Sequence, residues 1–371
     1  MAARTPAKAS RRSAPPVLVR QVRNGVVESV HRGDIVAADV NGRLIRSIGD
    51  PDRVAFLRST VKPFGLASLL RAGGRKAFDL APEELALLAS SHSGEDVHVR
   101  TLQALYRRVG ISTALLACGS EGMPLDELTA ARLARDGERP SPVRHMCSGQ
   151  HSVFILLSKL GGWDPAGYWE SDHPAQRAYA ETVAEAFGVP PGQLRTGIDG
   201  CGLLTYAFRL RDVARAYAML AAPDAVAASD RRAVLAPHLA EVRDAMVRHP
   251  ELVAGSRERL DTALMKTVPG RAVSKSGMEA LRGVGILAGP RSGTAGTGPS
   301  GLALKMEDGD GYDRGTYAAT VEALMQVGVL DGHAVRLLGR YHRPPSYDPH
   351  GRLSAEAIPE FELVPVGELV G

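Results

Sequence analysis

Cysteine is scarce in this sequence: Cys118, Cys147 and Cys201 are the only three in 371 residues. So few, and an odd number, exclude a disulfide framework and point to a reducing compartment, so a cytoplasmic location is expected. Long apolar runs are lacking too. No stretch approaches the roughly 18 apolar residues of a membrane span. The opening segment MAARTPAKASRRSAPP is basic and rich in Ala, Pro and Ser, without the apolar centre of a secretory signal. A soluble chain that neither crosses nor anchors in a membrane is expected. Net charge is nearly absent once that segment is set aside. The formal +4 includes Arg4, Lys8, Arg11, Arg12 and Arg20, with no acid among the first 20 residues, so the remainder carries −1. A folded basic patch for nucleic acid is therefore not indicated. Internal repeats and coiled-coil heptads are missing as well, which argues against a purely structural protein.

What is present is ordinary globular composition, 44% hydrophobic and 23% charged, with 40 Gly and 24 Pro, too many for a helical bundle. A mixed α/β fold rich in turns is expected. From Val17 to Ile48 short apolar–polar alternations are broken by Asn24-Gly25, Gly33-Asp34 and Asn41-Gly42, the pattern of a β-meander. Helical periodicity begins near Val54, returns in PEELALLASSHS, VHVRTLQALYRRVG and AQRAYAETVAEAFGV, and dominates to about Val268. Strand patterns resume in GVGILAG and GLALKMEDG before a helix in YAATVEALMQVGVL. The expected organisation is a disordered basic tail over 1–16 and one domain over 17–371. Both chain ends, about 17–100 and 269–371, would build an α/β lobe around a helix-rich lobe of about 101–268.

Several segments could carry chemistry. Ser59 and Lys62, in RSTVKP, stand three apart, so a helical turn would put hydroxyl and amine on one face. Pro63 fits only near a helix start. An N-cap serine followed by a solvated lysine has the same spacing. A second lysine, Lys275, lies between small residues in VSKSG, where a strand could line a cleft, and two lysines near one hydroxyl would each disfavour the other's protonation. The cluster SSHSGE, with Ser91, His92 and Ser93, could cap a helix or supply hydroxyls to a substrate. Cys147 in HMCSGQH and Cys201 in GIDGCG could be two buried thiols or share a zinc ion with a histidine, although their spacing is not that of a zinc finger.

Together with CGSEGMP at Cys118 to Pro124, GIDGCG, SKSGMEA and LALKMEDGDG, these segments resemble, in order and over some three hundred residues, the L-asparaginase II family of the rhizobial type. The resemblance implies a fold similar to the serine β-lactamases and glutaminases, a homodimer, and hydrolysis of L-asparagine to L-aspartate and ammonia. By position it implies two serine–lysine pairs, Ser59 with Lys62 and Ser91 with Lys275. Arg58, His151 and Asp199 match positions lining the family's active site, and Cys147 with Cys201 match its zinc ligands. The family's C-S-G-K-H motif carries Gln150 here in place of lysine. A neutral amide is a poor zinc ligand, so no cofactor is required on this reading.

The expected mechanism is acyl transfer through an activated serine, Ser59 ahead of Ser91, with Lys62 taking the hydroxyl proton and Lys275 poising Ser91. Arg58 and Asp199 would hold the substrate's charged ends. Two other readings use the same residues: a β-lactam-type serine hydrolase, and a non-catalytic amino-acid-binding protein of the same fold.

Overall fold

The computed structural model describes residues 14–287, 298–311 and 313–366. Twelve strands occur in this range: β1 (Val17–Arg23), β2 (Val26–Asp39), β3 (Leu44–Ile48), β4 (Val54–Phe56), β5 (Arg195–Ile198), β6 (Leu204–Arg209), β7 (Ala272–Gly277), β8 (Leu281–Ile286), β9 (Ser300–Met306), β10 (Pro345–Tyr347), β11 (Leu353–Pro359) and β12 (Val364–Pro365). Nine form one antiparallel sheet in the order β10-β11-β1-β2-β9-β8-β7, with β3 branching from β2 and pairing β12. The fold is mixed α/β, as composition implied.

The meander over Val17–Ile48 forms because its turns have the chemistry they need. Asn24 and Gly25 both have positive φ, at 45° and 80°, and Gly42 stands at 86°. Strand β2 alternates across the sheet: Val36 and Ala38 join the larger core, while Ile35 joins the smaller one on the other face. Helices cover both faces. Leu210–Ala221 packs on β2, β8 and β9 from one side, and Arg314–Gln326 and Leu260–Thr267 supply the other. This two-sided burial explains the unbroken burial of β8. Gly301 permits the close helix approach, since a Cβ there would lie 1.9 Å from the carbonyl oxygen of Ala214.

The structure departs from the sequence reading in three places. Gly33-Asp34, read as a break in the meander, lies inside the continuous β2 and pairs with Met306 and Lys305 of β9. Strands β4, β5 and β6 form a separate three-stranded sheet, and β5 and β6 lie within the stretch read as helical. Short strands beside helices leave little period-2 signal. Strands β10 to β12, beyond the last expected helix, complete the edge of the main sheet. Among the described residues no helix is long and apolar enough to cross a membrane.

Candidate active site

Three segments bring the expected serines and lysines together. The first runs through a 3₁₀ turn, Arg58–Val61, into the helix Lys62–Arg71, with Pro63 in its first turn, where a missing N–H costs nothing. Ser59 lies in the 3₁₀ turn and Lys62 opens the helix. The second is the loop after the helix Pro82–Leu88, so SSHSGE lies beyond the helix rather than inside it. The third is β7. Along it Ser274 and Ser276 alternate with Lys275, as the two-residue period of a strand requires. Gly277 lets β7 approach the serine-bearing turn, because a Cβ there would stand 2.9 Å from the carbonyl oxygen of Leu57.

Both lysines are buried, and both reach one hydroxyl. Lys62 Nζ donates to the Ser90 carbonyl at 2.8 Å and to Ser91 Oγ at 3.0 Å, and lies 3.3 Å from Cys147 Sγ. Three acceptors around one nitrogen match the three N–H bonds of an ammonium group. Lys275 Nζ lies 2.8 Å from Ser91 Oγ and 2.7 Å from the Ser276 carbonyl. Burial, reinforced by the charge of Lys62, holds the Lys275 amine well below the ordinary lysine range, while Asp261 opposes the shift. A neutral Lys275 has a lone pair to accept the Ser91 proton and an N–H to give to Ser276. Burying a whole side chain such as Leu stabilises by roughly 1.5–3 kcal/mol. A lysine left charged and unpaired in the same place costs more, so two adjacent buried lysines mark a site rather than a core.

The loop that carries Ser91 is fixed on every side. Its N–H donates to the Val253 carbonyl at 2.9 Å, and Arg259 Nη2 donates to its carbonyl at 3.0 Å. His92 accepts from the Gly94 N–H on Nδ1, at 3.0 Å, which leaves the proton on Nε2 to meet Ser148 Oγ at 2.8 Å. Burial holds the His92 imidazole well below its usual value, so it is neutral. From the helix Leu260–Thr267, the buried Asp261 accepts from Ser274 and Ser276 of β7 and from Arg282 of β8, fixing the strand beneath Lys275.

Ser59 and Ser91 both line a cleft of about 850 Å³, with Ser93, Arg259, Ser276 and Tyr317 among its other walls. The structure does not join Ser59 to Lys62. Among the described residues none hydrogen-bonds the Ser59 hydroxyl, and the Lys62 amine points instead to Ser91, because the helix start carries it toward the loop. Arg58 and Asp199 do meet: Nε and Nη2 of the arginine lie 2.8 Å and 2.7 Å from Asp199 Oδ1. Neither lines the cleft, nor does His151, which is fully buried with Nδ1 2.6 Å from the Tyr168 hydroxyl. Burial pulls the His151 imidazole down to about 3.

Cys147 and Cys201 also come together. The Cys201 thiol donates to Cys147, holding the Cys147 thiol well below its usual range and, with burial, pushing that of Cys201 far above it. Among the described residues no group of three or more His, Cys, Asp or Glu side chains is placed to share an ion. Gln150, where the family motif has lysine, donates its Nε2 to the Tyr179 hydroxyl at 3.1 Å.

Sequence reasoning missed Arg259 and Asp261, which hold the Ser91 loop and β7. Both lie in SRERLD, a polar run with nothing in its spacing to distinguish it from a solvated turn.

No curated protein matches the chain significantly. Solved structures of Mglu overlap it in part. Mglu in its native form is 20% identical, over 82% of this chain and 67% of that one, with a TM-score of 0.35. Mglu in its tris and glutamate form is 18% identical, over 86% and 65%, at 0.34. Mglu in its L-glutamate binding form is 17% identical, over 87% and 66%, at 0.37. The chain thus spans about two thirds of the length of these chains, and an overlap at such scores fixes neither fold nor activity. The sequence itself is decisive: the L-asparaginase II family matches residues 19–357, nearly the whole chain. The protein belongs to the L-asparaginase II family, and by class it is an amidohydrolase.

Proposed function

We propose that this protein hydrolyses the side-chain amide of L-asparagine, releasing L-aspartate and ammonia through a serine–lysine acyl-enzyme. The observation that carries the reading is the pair of buried lysines on one cleft-lining hydroxyl, at 3.0 Å and 2.8 Å from Ser91 Oγ. Their arrangement favours Ser91 over Ser59 as the nucleophile. Ser91 Oγ attacks the carboxamide carbon and passes its proton to the neutral Lys275. The proton then goes to the departing nitrogen, and ammonia leaves an aspartyl ester on Ser91. Water, deprotonated by the same amine, attacks the ester and frees aspartate. Lys62, held by Ser90 and Cys147, donates to Ser91 Oγ beside the developing anion. Ser59 lies on the same cleft wall and can donate to the substrate or to the attacking water.

The same reading includes a two-lobed fold of the serine β-lactamase and glutaminase type, a homodimer, a cytoplasmic location and no required metal. Three buried free cysteines are consistent with the reducing location.

The test is ammonia release from L-asparagine, with L-glutamine alongside, by wild type and by Ser91→Ala. Release that disappears in Ser91→Ala supports the mechanism, and undiminished release rejects it.

A further inference from the structure

Arginines around the cleft differ in how their guanidinium groups are spent. Arg257 gives Nε and Nη2 to Asp126, at 2.8 Å and 2.6 Å, and the buried Arg282 is paired with Asp261. Outside the cleft, Arg58 has its Nε and Nη2 committed to Asp199. Arg259 has no ion-pair partner among the described residues. Its bonds go to neutral acceptors only: Nη1 to Ser93 Oγ at 2.9 Å and the Ala254 carbonyl at 3.0 Å, Nη2 to the Ser91 carbonyl at 3.0 Å.

A guanidinium carries five N–H bonds. These contacts use both on Nη1 and one on Nη2. Among the described residues nothing accepts from the N–H on Nε or from the second on Nη2, so the Nε–Nη2 edge keeps donors for a carboxylate. Arg259 is half-buried and lines the cleft. Its Nη2 contact to the Ser91 carbonyl puts that edge within one residue of the serine hydroxyl. Lys62 and Lys275 stand beside the same serine, and the nearest buried carboxylate, Asp261, is already matched by Arg282. Asp126, Asp261 and Glu258 on the cleft wall are each paired with another arginine, and Asp313, whose charge acts on Arg259, makes no ion pair with it.

We infer that Arg259 is the carboxylate anchor of the substrate site, gripping the α-carboxylate of the amino-acid amide while the side-chain carboxamide lies against Ser91. This rests on the amide-hydrolase reading and adds a specificity residue to it. It also moves the anchor away from Arg58, whose fork is filled by Asp199.

The test compares L-asparagine with 3-aminopropanamide, which is the same molecule without the α-carboxylate, in wild type, Arg259→Lys and Arg259→Met. Wild type should prefer asparagine by about 10- to 100-fold in kcat/KM, the value of a charged hydrogen-bonded pair. Arg259→Met should erase that preference and Arg259→Lys should keep part of it. Because Arg259 also holds the Ser91 loop, both rates can fall in the variants, and the ratio between substrates is the readout. A ratio unchanged in Arg259→Met overturns the assignment, as does a wild type with no preference. Calorimetry of wild type with L-aspartate and with β-alanine, its counterpart without the α-carboxylate, gives an arm independent of turnover and of variant folding. Tighter aspartate binding supports the anchor even where neither amide is hydrolysed, a result that would reject the amide-hydrolase reading alone. Equal binding overturns the anchor.

Discussion

Two serines face one cleft, and their surroundings could hardly differ more. Ser59 stands in a 3₁₀ turn behind Arg58, whose φ of 48° is unusual for a residue with a side chain, and none of the described residues bonds its hydroxyl. Ser91 stands in a loop tied down through its own N–H and carbonyl and through its neighbours His92 and Ser93, with a lysine on each side of its hydroxyl. A short S-x-x-K spacing made Ser59 the more conspicuous of the two in the sequence. The lesson is that spacing of three residues permits a contact without causing it: here the helix that starts at Lys62 carries the amine away from Ser59 and onto a different segment.

The comparison breaks most directly by removing each hydroxyl in turn. Ser91→Ala should lower kcat for ammonia release by at least about 10³-fold, as loss of an acylated nucleophile does. Ser59→Ala should cost only about tenfold, the scale of one hydrogen bond in the reaction. The reverse order of effects would return the nucleophile to Ser59.

Next in size is the base. Lys275→Met should lower kcat by roughly 10²- to 10³-fold, the usual contribution of a positioned general base. In wild type, kcat/KM should fall as pH drops through the depressed value of Lys275, because protonation removes the lone pair that takes the serine proton. A flat acid limb would exclude Lys275 as the base.

Acid should also weaken the fold. His151 is held at about 3, against an ordinary 6.5, and His92 is lowered as well, both chiefly by burial. Below pH 6.5 the unfolded chain takes up these protons and the folded one does not, so stability is lost progressively as pH falls toward the folded values. For His151 this costs about 2 kcal/mol between pH 6.5 and 5, at about 1.4 kcal/mol per unit. Urea midpoints measured across that range should fall, and His92→Gln should flatten part of the slope.

The smallest effects are expected on the cysteine side. Gln150→Leu leaves the buried Tyr179 hydroxyl without its partner and should cost about 1–3 kcal/mol of stability, read by urea unfolding, with turnover little changed. Dialysis against a chelator should leave ammonia release as it was, and a loss restored by zinc would make the cysteine pair part of the reaction.

Much of this was legible in the residues themselves. The meander could be read because Asn24-Gly25 and Asn41-Gly42 have the backbone freedom that hairpin turns demand, and the helix stop at Gly110 because a residue with φ of 62° ends a helix cheaply. The segments carrying Ser59, Ser91, Lys275, Cys147 and Cys201 stood out by composition and by the order that marks the family. Strands β5 and β6 did not, since each is short and β6 takes its second partner, β4, from far away in the chain. Arg259 and Asp261 were hidden for a similar reason: a lone charged residue in a polar run has no periodicity to betray which backbone it will hold.

The sequence by itself determined the family, the mixed α/β composition, and the set of hydroxyl, amine and thiol groups available to the site, because these follow from residue type and local order. Which amine meets which hydroxyl was decided only by the tertiary structure. Lys62 and Ser91 are 29 positions apart and Lys275 and Ser91 are 184 apart. Their meeting depends on a helix start, a clamped loop and a sheet strand packed to within ångströms of one another, and no local pattern encodes distances of that kind.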